Sequence, residues 1–382
     1  MGGALEWSLL AMIVAAAYPI VGYPLVLSAI ALLRPRPVRR GEWTPSVTIL
    51  VPAYNEAACI AGTIENKLAL DYPAERLEIT VVSDASEDGT DDIVRRYADR
   101  GVKLLRTAAR QGKAAALNEA IRHANGEIVV FSDANSTFAV DAVRRMVENF
   151  TDPRVGYVTG NLQYLHGEEA SGRGSGAYMR YENWLRRIET RVDSVIGVNG
   201  GVDAMRRRLY AAVPADQITD FVLPLRVIAA GFRVVFDERV HSSERANQEL
   251  GSEFRMRVRV ALRALRGLVY MRQALNVVRV PLPAFCIFSH KILRYLSFLF
   301  LAGALIINAI LAARNPSYIP LLLLQVAFYA LALLGLTRNL PGALRRLTAL
   351  PTYFLVSNVA FGIAALRFAR GDVVATWRPR AG

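Results

Sequence analysis

The sequence predicts an α/β unit built on a parallel sheet and carried between membrane helices at both ends; two observations, strand-like runs and a block-wise composition, predict it. Apolar, β-branched runs at 47–53, 79–82 and 128–131 stop abruptly at polar residues, Tyr54-Asn55-Glu56, Ser83-Asp84 and Ser132-Asp133-Ala134-Asn135. Such runs are strands buried on both faces, and the helical periodicity between them makes the unit β-α-β-α-β-α-β. Ligands bind outside the carboxyl ends of the strands in open α/β sheets, so Glu56, Asp84 and Asp133 are expected on one edge, with Arg110-Gln111-Gly112-Lys113 as a further step of the ladder. The 382 residues are 53% hydrophobic yet 21% charged, with a mean hydropathy of +0.25. The apolar residues are therefore concentrated in blocks, and the length allows one soluble unit plus a membrane part.

Residues 5–33 are almost uninterrupted apolar sequence, longer than the roughly 20 that cross a bilayer, and they stop at Arg34, Arg36, Arg39 and Arg40. A secretory signal would need a basic start, whereas this one holds only Glu6, so 1–33 is expected to be an anchor, kinked at Pro19 and Pro24. The arginines that follow place 34–280 in the cytoplasm. After Pro281 and Pro283 come apolar spans at roughly 285–313, 319–336 and 347–368, which make 281–382 a membrane region of about three helices. Arg338, Arg345 and Arg346 between the last two spans fit a cytoplasmic loop, while Arg367, Arg370, Arg378 and Arg380 would face outward, against the usual rule. The formal charge of +13 comes from a basic set of which all but four members are arginine, many at membrane boundaries. With no nucleic-acid signature present, it points to a lipid surface and not to nucleic acid. Two cysteines, Cys59 and Cys286, give neither zinc spacing nor a shared compartment for a disulfide.

Within the central unit, helices are expected at 56–70, 88–100 and 112–124, a further one from Asp141, a strand at 155–165, a small polar loop at 167–176, an amphipathic helix at 178–195 beside the membrane, and a helix at 220–230. Each polar residue at an element end has a plainer alternative. Asp84 and Asp220 could cap helices, Asp133-Ala134-Asn135 could be a turn, and so could Asn199-Gly200-Gly201. The chemical alternative for Asp133 is a hard divalent cation, Mg2+ or Mn2+, because a few protein oxygens together with phosphate oxygens hold such an ion. Asn135 would be the second, weaker ligand. A carboxylate at Asp220 suits general-base work.

At these residues the chain resembles glycosyltransferase family 2. The match comprises Val51-Pro52-Ala53-Tyr54-Asn55-Glu56, the Ser83–Thr90 turn, Gln111-Gly112-Lys113, Asp133-Ala134-Asn135 in place of the commoner Asp-x-Asp, Asn199-Gly200-Gly201 and Thr219-Asp220, and it covers roughly residues 45–265. The resemblance implies a GT-A fold and a nucleotide-sugar donor. By it, Ala53, Tyr54, Glu56 and Asp84 would hold the nucleoside, Lys113 would lie near the base or the diphosphate, Arg259 would meet the diphosphate, Asp133 and Asn135 the metal, Gly200 and Gly201 the acceptor, and Asp220 the proton of the attacking hydroxyl. The flanking spans fit the membrane-integrated polysaccharide synthases of the family. An Arg-rich helix at 253–266 occupies the place of their Gln-x-x-Arg-Trp, with Arg259 for the arginine and Val260 for the tryptophan, a departure that bears on processivity.

The expectation is thus a multi-pass enzyme of the inner cell membrane. It would be an inverting transferase that moves sugar from a UDP-sugar to a growing polysaccharide or surface glycan, with an accessory subunit as a further partner. The runner-up is a single-step transferase acting on a lipid-linked acceptor. An inactive scaffold or nucleotide sensor is the alternative from another class, against which stand the intact Asp84, Asp133 and Asp220.

Overall fold

The computed structural model describes residues 2–165, 171–245, 250–337 and 340–373. Among them, eight strands form one sheet: β1 Val47–Ala53, β2 Leu77–Ser83, β3 Val102–Arg106, β4 Ile128–Ser132, β5 Thr137–Phe138, β6 Val155–Leu165, β7 Val202–Arg206 and β8 Arg233–Arg245, in the order β3-β2-β1-β4-β7-β6-β8-β5. The expected parallel block is β3-β2-β1-β4, with Val51 opposite Val81 and Leu50 opposite Phe131. Beyond it β7 runs antiparallel between β4 and β6, and β8 pairs in parallel with β6.

Side chains alternate across the sheet, so successive residues of β1 serve two cores. Leu50, with Val82, Val129, Phe131 and Tyr157, packs under helices α5 (Lys113–His123) and α8 (Thr219–Ala229). Ile49 and Val51, with Ile79, Val81 and Val130, pack under α3 (Ile60–Leu68) and α6 (Ala142–Glu148). The remaining described helices are α1 Gly2–Ala17, α2 Tyr23–Leu33, α4 Thr90–Arg95, α7 Ser171–Val192, α9 Leu250–Tyr270, α10 Pro281–Cys286, α11 Leu293–Tyr295, α12 Ser297–Arg314, α13 Ile319–Leu334 and α14 Gly342–Ala369.

Several sequence expectations shift: the helix expected at 88–100 is α-helical only over Thr90–Arg95, and Arg345 and Arg346, expected in a loop, lie in the first turns of α14. The small polar stretch thought to be a loop through residue 176 is helical from Ser171, as the first turns of α7; its start at 167–170 lies outside the described residues. The span expected from residue 285 begins at Ser297, because 281–296 break into α10, a wide π-type turn at Ile287–Ile292 and α11. That break carries charge. Arg294 donates to Glu182 at 2.6 Å and His290 Nδ1 lies 2.8 Å from Glu189, both on α7, so the segment turns toward protein and away from lipid.

Among the described residues, four helices are long and apolar enough to cross a membrane: Gly3–Leu33, Ser297–Arg314, Pro316–Leu334 and Gly342–Ala369. Many of their large apolar side chains, among them Leu25, Leu299, Leu323, Leu324 and Leu366, stand exposed, as a lipid-facing surface would. Pro19 sits inside the expected kink, a π-type turn at Tyr18–Gly22 between α1 and α2. Arg338, Arg378 and Arg380 lie outside the described residues.

Candidate active site

The site grows from the carboxyl ends of β1, β2 and β4. Where β2 ends, Asp84 is buried, and its two carboxylate oxygens accept backbone N–H bonds from Gln111 at 2.8 Å and Gly112 at 2.7 Å. It therefore caps no helix: the entry of α4 is served by Asp88, whose carboxylate accepts from Thr90 N at 3.0 Å. Asp84 also donates its own N–H to Ala53 O at 2.8 Å, which joins the ends of β1 and β2. After Ala53, Tyr54 presents its ring to the Arg110 guanidinium, 3.7 Å from the ring centre. Glu56 receives the Cys59 thiol at 3.1 Å; burial first and then that carboxylate push the thiol up to about 12.

Lys113 opens α5 and reaches across the edge. Its Nζ lies 2.6 Å from Asp133 Oδ1 at the end of β4 and 3.6 Å from Asp220 Oδ2 in the first turn of α8. Burial pulls the ammonium down, but the Asp133 and Asp220 carboxylates outweigh it and hold Lys113 above its ordinary range. Asp220 is not the cap of its helix either, since that position is Ile218 and carries no side-chain cap bond.

The glycine pair closes the floor. Gly200 and Gly201 have φ of +69° and +67°, and a Cβ on Gly200 would fall 2.6 Å from Asp220 Oδ2. On Gly201 it would fall 3.0 Å from Glu244 Oε1 and 3.1 Å from both Asp133 Oδ2 and Ser136 Oγ. Glycine is required here twice over, by backbone conformation and by close approach. The turn with Asp133 and half-buried Asn135 is pinned from α3: Thr63 donates to Ala134 O at 2.5 Å and Lys67 to Ser136 O at 2.8 Å. Burial drives the Lys67 ammonium down to about 7.

Asp133 and Asn135 offer hard oxygen donors at a partly open edge, with Asp133 Oδ2 facing a position that has no side chain. That suits Mg2+ or Mn2+. Among the described residues no three metal-ligating side chains cluster, so such an ion would complete its shell with phosphate oxygens and water.

The structure thus brings Asp84, Lys113, Asp133, Gly200, Gly201 and Asp220 to one edge. Arg259 lies on α9, a turn before Arg263, whose guanidinium donates to Gln217 O in the approach to α8. Three residues near the centre carry no sequence motif: Ser136, Glu244 and Asp203. Asp203, on β7 opposite Thr159, is fully buried with neither oxygen in a well-aligned hydrogen bond. Burial, then the Asp220 charge, push its carboxyl up to about 7.

The family profile of glycosyl transferase family 2 matches residues 48–212. Over 222 residues the chain is 28% identical to a poly-beta-1,6-N-acetyl-D-glucosamine synthase of Staphylococcus aureus, covering 56% of this chain and 53% of that protein. Over 128 residues it is 35% identical to the probable glycosyltransferase YdaM of Bacillus subtilis, covering 32% and 30%. The chain spans about half the length, or less, of these curated relatives. Among solved structures it is similar to the mannosyltransferase PcManGT of Pyrobaculum calidifontis, in complex with GDP-Man and Mn2+, with a TM-score of 0.73 and 25% identity, covering 96% of this chain and 99% of that one.

The Asp84 geometry predicts that this carboxylate orders the 107–112 loop. Hydrogen exchange on Asp84→Ala should show the Gln111 and Gly112 amides exchanging at least about tenfold faster, since hydrogen bonds to a charged group are worth about 1.5–3 kcal/mol. Unchanged exchange at those two amides would refute the assignment.

Proposed function

Residues 48–212 of this chain belong to glycosyl transferase family 2 and carry its GT-A fold, and from that premise we propose a membrane-embedded inverting transferase that passes sugar from a nucleotide-sugar donor to a growing polysaccharide or surface glycan. The observation that carries this reading is the meeting of Lys113, Asp133 and Asp220 at one sheet edge, against a glycine pair that leaves room for substrate.

Ala53, Tyr54, Glu56 and Asp84 are positioned to frame the nucleoside. Lys113, already paired with Asp133, would exchange part of that contact for the diphosphate, which offers denser negative charge. A divalent cation at Asp133 and Asn135 would neutralise the charge that develops on the leaving diphosphate. The acceptor rests on Gly200 and Gly201. Asp220 takes the proton from the attacking hydroxyl as that oxygen bonds the anomeric carbon on the face opposite the departing nucleotide, and the configuration inverts. Arg259 is assigned to the diphosphate side from α9.

A UDP-sugar is the first donor to test, and the likeness to a poly-beta-1,6-N-acetyl-D-glucosamine synthase supports N-acetylglucosamine as its sugar. The full-length likeness to a mannosyltransferase holding GDP-Man favours a second reading, a GDP-sugar donor. Purified protein offered a panel of labelled UDP- and GDP-sugars separates the two, and release of no nucleotide from any of them would favour a scaffold or sensor. A lipid-linked product of one added sugar would favour the single-step reading.

The arginines after residue 33 support a cytoplasmic catalytic unit. Accordingly, an Asp99→Cys variant lacking the two native cysteines should resist an impermeant thiol reagent in intact cells and react after lysis, because Asp99 is exposed. Labelling of intact cells would reverse the topology. For the chemistry, Asp220→Asn keeps the shape but cannot accept a proton. Turnover should fall by about 10²–10⁴-fold with nucleotide affinity nearly unchanged, and a normal rate would rule out the base assignment.

A further inference from the structure

Lys67 is a fully buried cation with no part in the family motifs. It stands on the face of α3 that also carries Thr63 and Asn66, at the i, i+3 and i+4 spacing that puts three side chains on one side of a helix. Together they hold alternate carbonyls of the segment after β4. Thr63 Oγ1 donates to Ala134 O at 2.5 Å, Lys67 Nζ to Ser136 O at 2.8 Å, and Asn66 Nδ2 to Phe138 O at 2.9 Å, while Asn66 Oδ1 accepts from Phe138 N at 2.8 Å and from Lys67 Nζ at 2.9 Å. The ammonium also stands 3.6 Å above the Phe138 ring, which steadies it without a further polar partner.

The same Ser136 is gripped from its other side. Its hydroxyl donates to the carboxylate of Glu244, also buried, at the end of β8, and its N–H donates to Asp133 O at 3.1 Å. Glu244, Ser136 and Asp133 are the groups that crowd the missing Cβ of Gly201. Burying a cation and an anion costs several kcal/mol each unless they compensate one another and are hydrogen-bonded, so an apolar residue at 67 would be the cheaper choice for stability alone.

We propose that Lys67, Ser136 and Glu244 form the positioning element of the reaction centre, in which a buried cation and a buried anion hold one serine and thereby fix Asp133 relative to Gly201. The element acts through the metal-binding turn and the acceptor floor and touches neither substrate; its effect on metal rests on the assignment of Asp133 above, and its effect on the turn does not. It also explains why the turn tolerates Asn135 in place of a second acid: the geometry of Asp133 is imposed from behind, by α3 and β8, and not by a second ligand.

The test uses the full chain in detergent, with Lys67→Met, which keeps length and removes charge, and Ser136→Ala, which keeps the Lys67 contact and removes the Glu244 one. Hydrogen exchange is followed at residues 134–138, and Mn2+ binding is measured by electron paramagnetic resonance in the presence of UDP and, separately, GDP. Lys67→Met should speed exchange at 134–138 by about tenfold or more and weaken Mn2+ to a similar degree, with nucleotide affinity in the absence of metal unchanged; Ser136→Ala should shift both in the same direction by less. If Lys67→Met fails to fold, the Ser136→Ala result decides. Faster exchange at 134–138 in a protein that binds no Mn2+ even as wild type would uphold the positioning element and sink the metal assignment. Exchange that rises evenly across β1, β2 and β4, or does not change at 134–138, would overturn the proposal.

Discussion

A half-buried ammonium is best met by negative charge, and Lys113 finds it in two carboxylates that are far apart in the chain. Asp133 ends a strand, Asp220 sits in the first turn of a helix, and Lys113 itself starts another helix beyond the buried Asp84 that holds its loop. None of the three elements can shift without loosening an ion pair at this half-buried edge. The sheet order follows the same logic: β7 must run antiparallel beside β4 for Gly200 and Gly201 to enter under Asp220 and Asp133. A site held this way is stiff before any ligand arrives, and transfer chemistry gains most from groups that need no rearrangement at the moment of reaction.

The membrane helices are tied to this edge by polar contacts as well as by packing. Tyr23 of α2 donates to Glu189 of α7 at 2.8 Å, and the other oxygen of Glu189 accepts the N–H of Ile196 at 3.2 Å, at the head of the segment that leads to Gly200. On the opposite side, Arg266 of α9 donates to the carbonyls of Gly371 and Asp372, just past α14, and reaches Asp216 at 3.4 Å, in the approach to α8. Both the segment that leads to the Gly200–Gly201 pair and the helix that carries Asp220 are therefore braced against helices long enough to cross a bilayer. An acceptor that emerges along those helices would be delivered to a centre they help to hold.

How much of this could be read from the sequence depended on whether burial and chemistry fell on the same residues. The apolar runs of β1, β2 and β4 announced themselves, and their terminal Asp84 and Asp133 were visible because an abrupt change of polarity marks a strand end. The edge strand β3 was not, since Lys103 and Arg106 break its apolar pattern in the way that blunts an exposed edge. Ser136, Glu244 and Asp203 left no trace because their roles come from strands brought together only by the antiparallel half of the sheet. Lys67 did leave a signal, a charge on the buried face of α3 between Ile60, Ile64 and the sheet, which periodicity alone reads as an inconsistency. The wide turn at Ile287–Ile292 was hidden for the opposite reason: its apolar neighbours made one continuous span of it, and only the pairing of His290 and Arg294 with α7 shows that it leaves the lipid.

In the proposed function, one nucleotide sugar and one metal fill the space among Lys113, Asp133 and Asp220. The most direct measurement is an electron cryomicroscopy structure of the full chain with Mn2+ and a non-transferable donor analogue. Density is expected for the ion against Asp133, the diphosphate within reach of Lys113, and the anomeric carbon facing Asp220 across Gly200 and Gly201. A diphosphate bound away from Lys113, or a sugar turned away from Asp220, would contradict it.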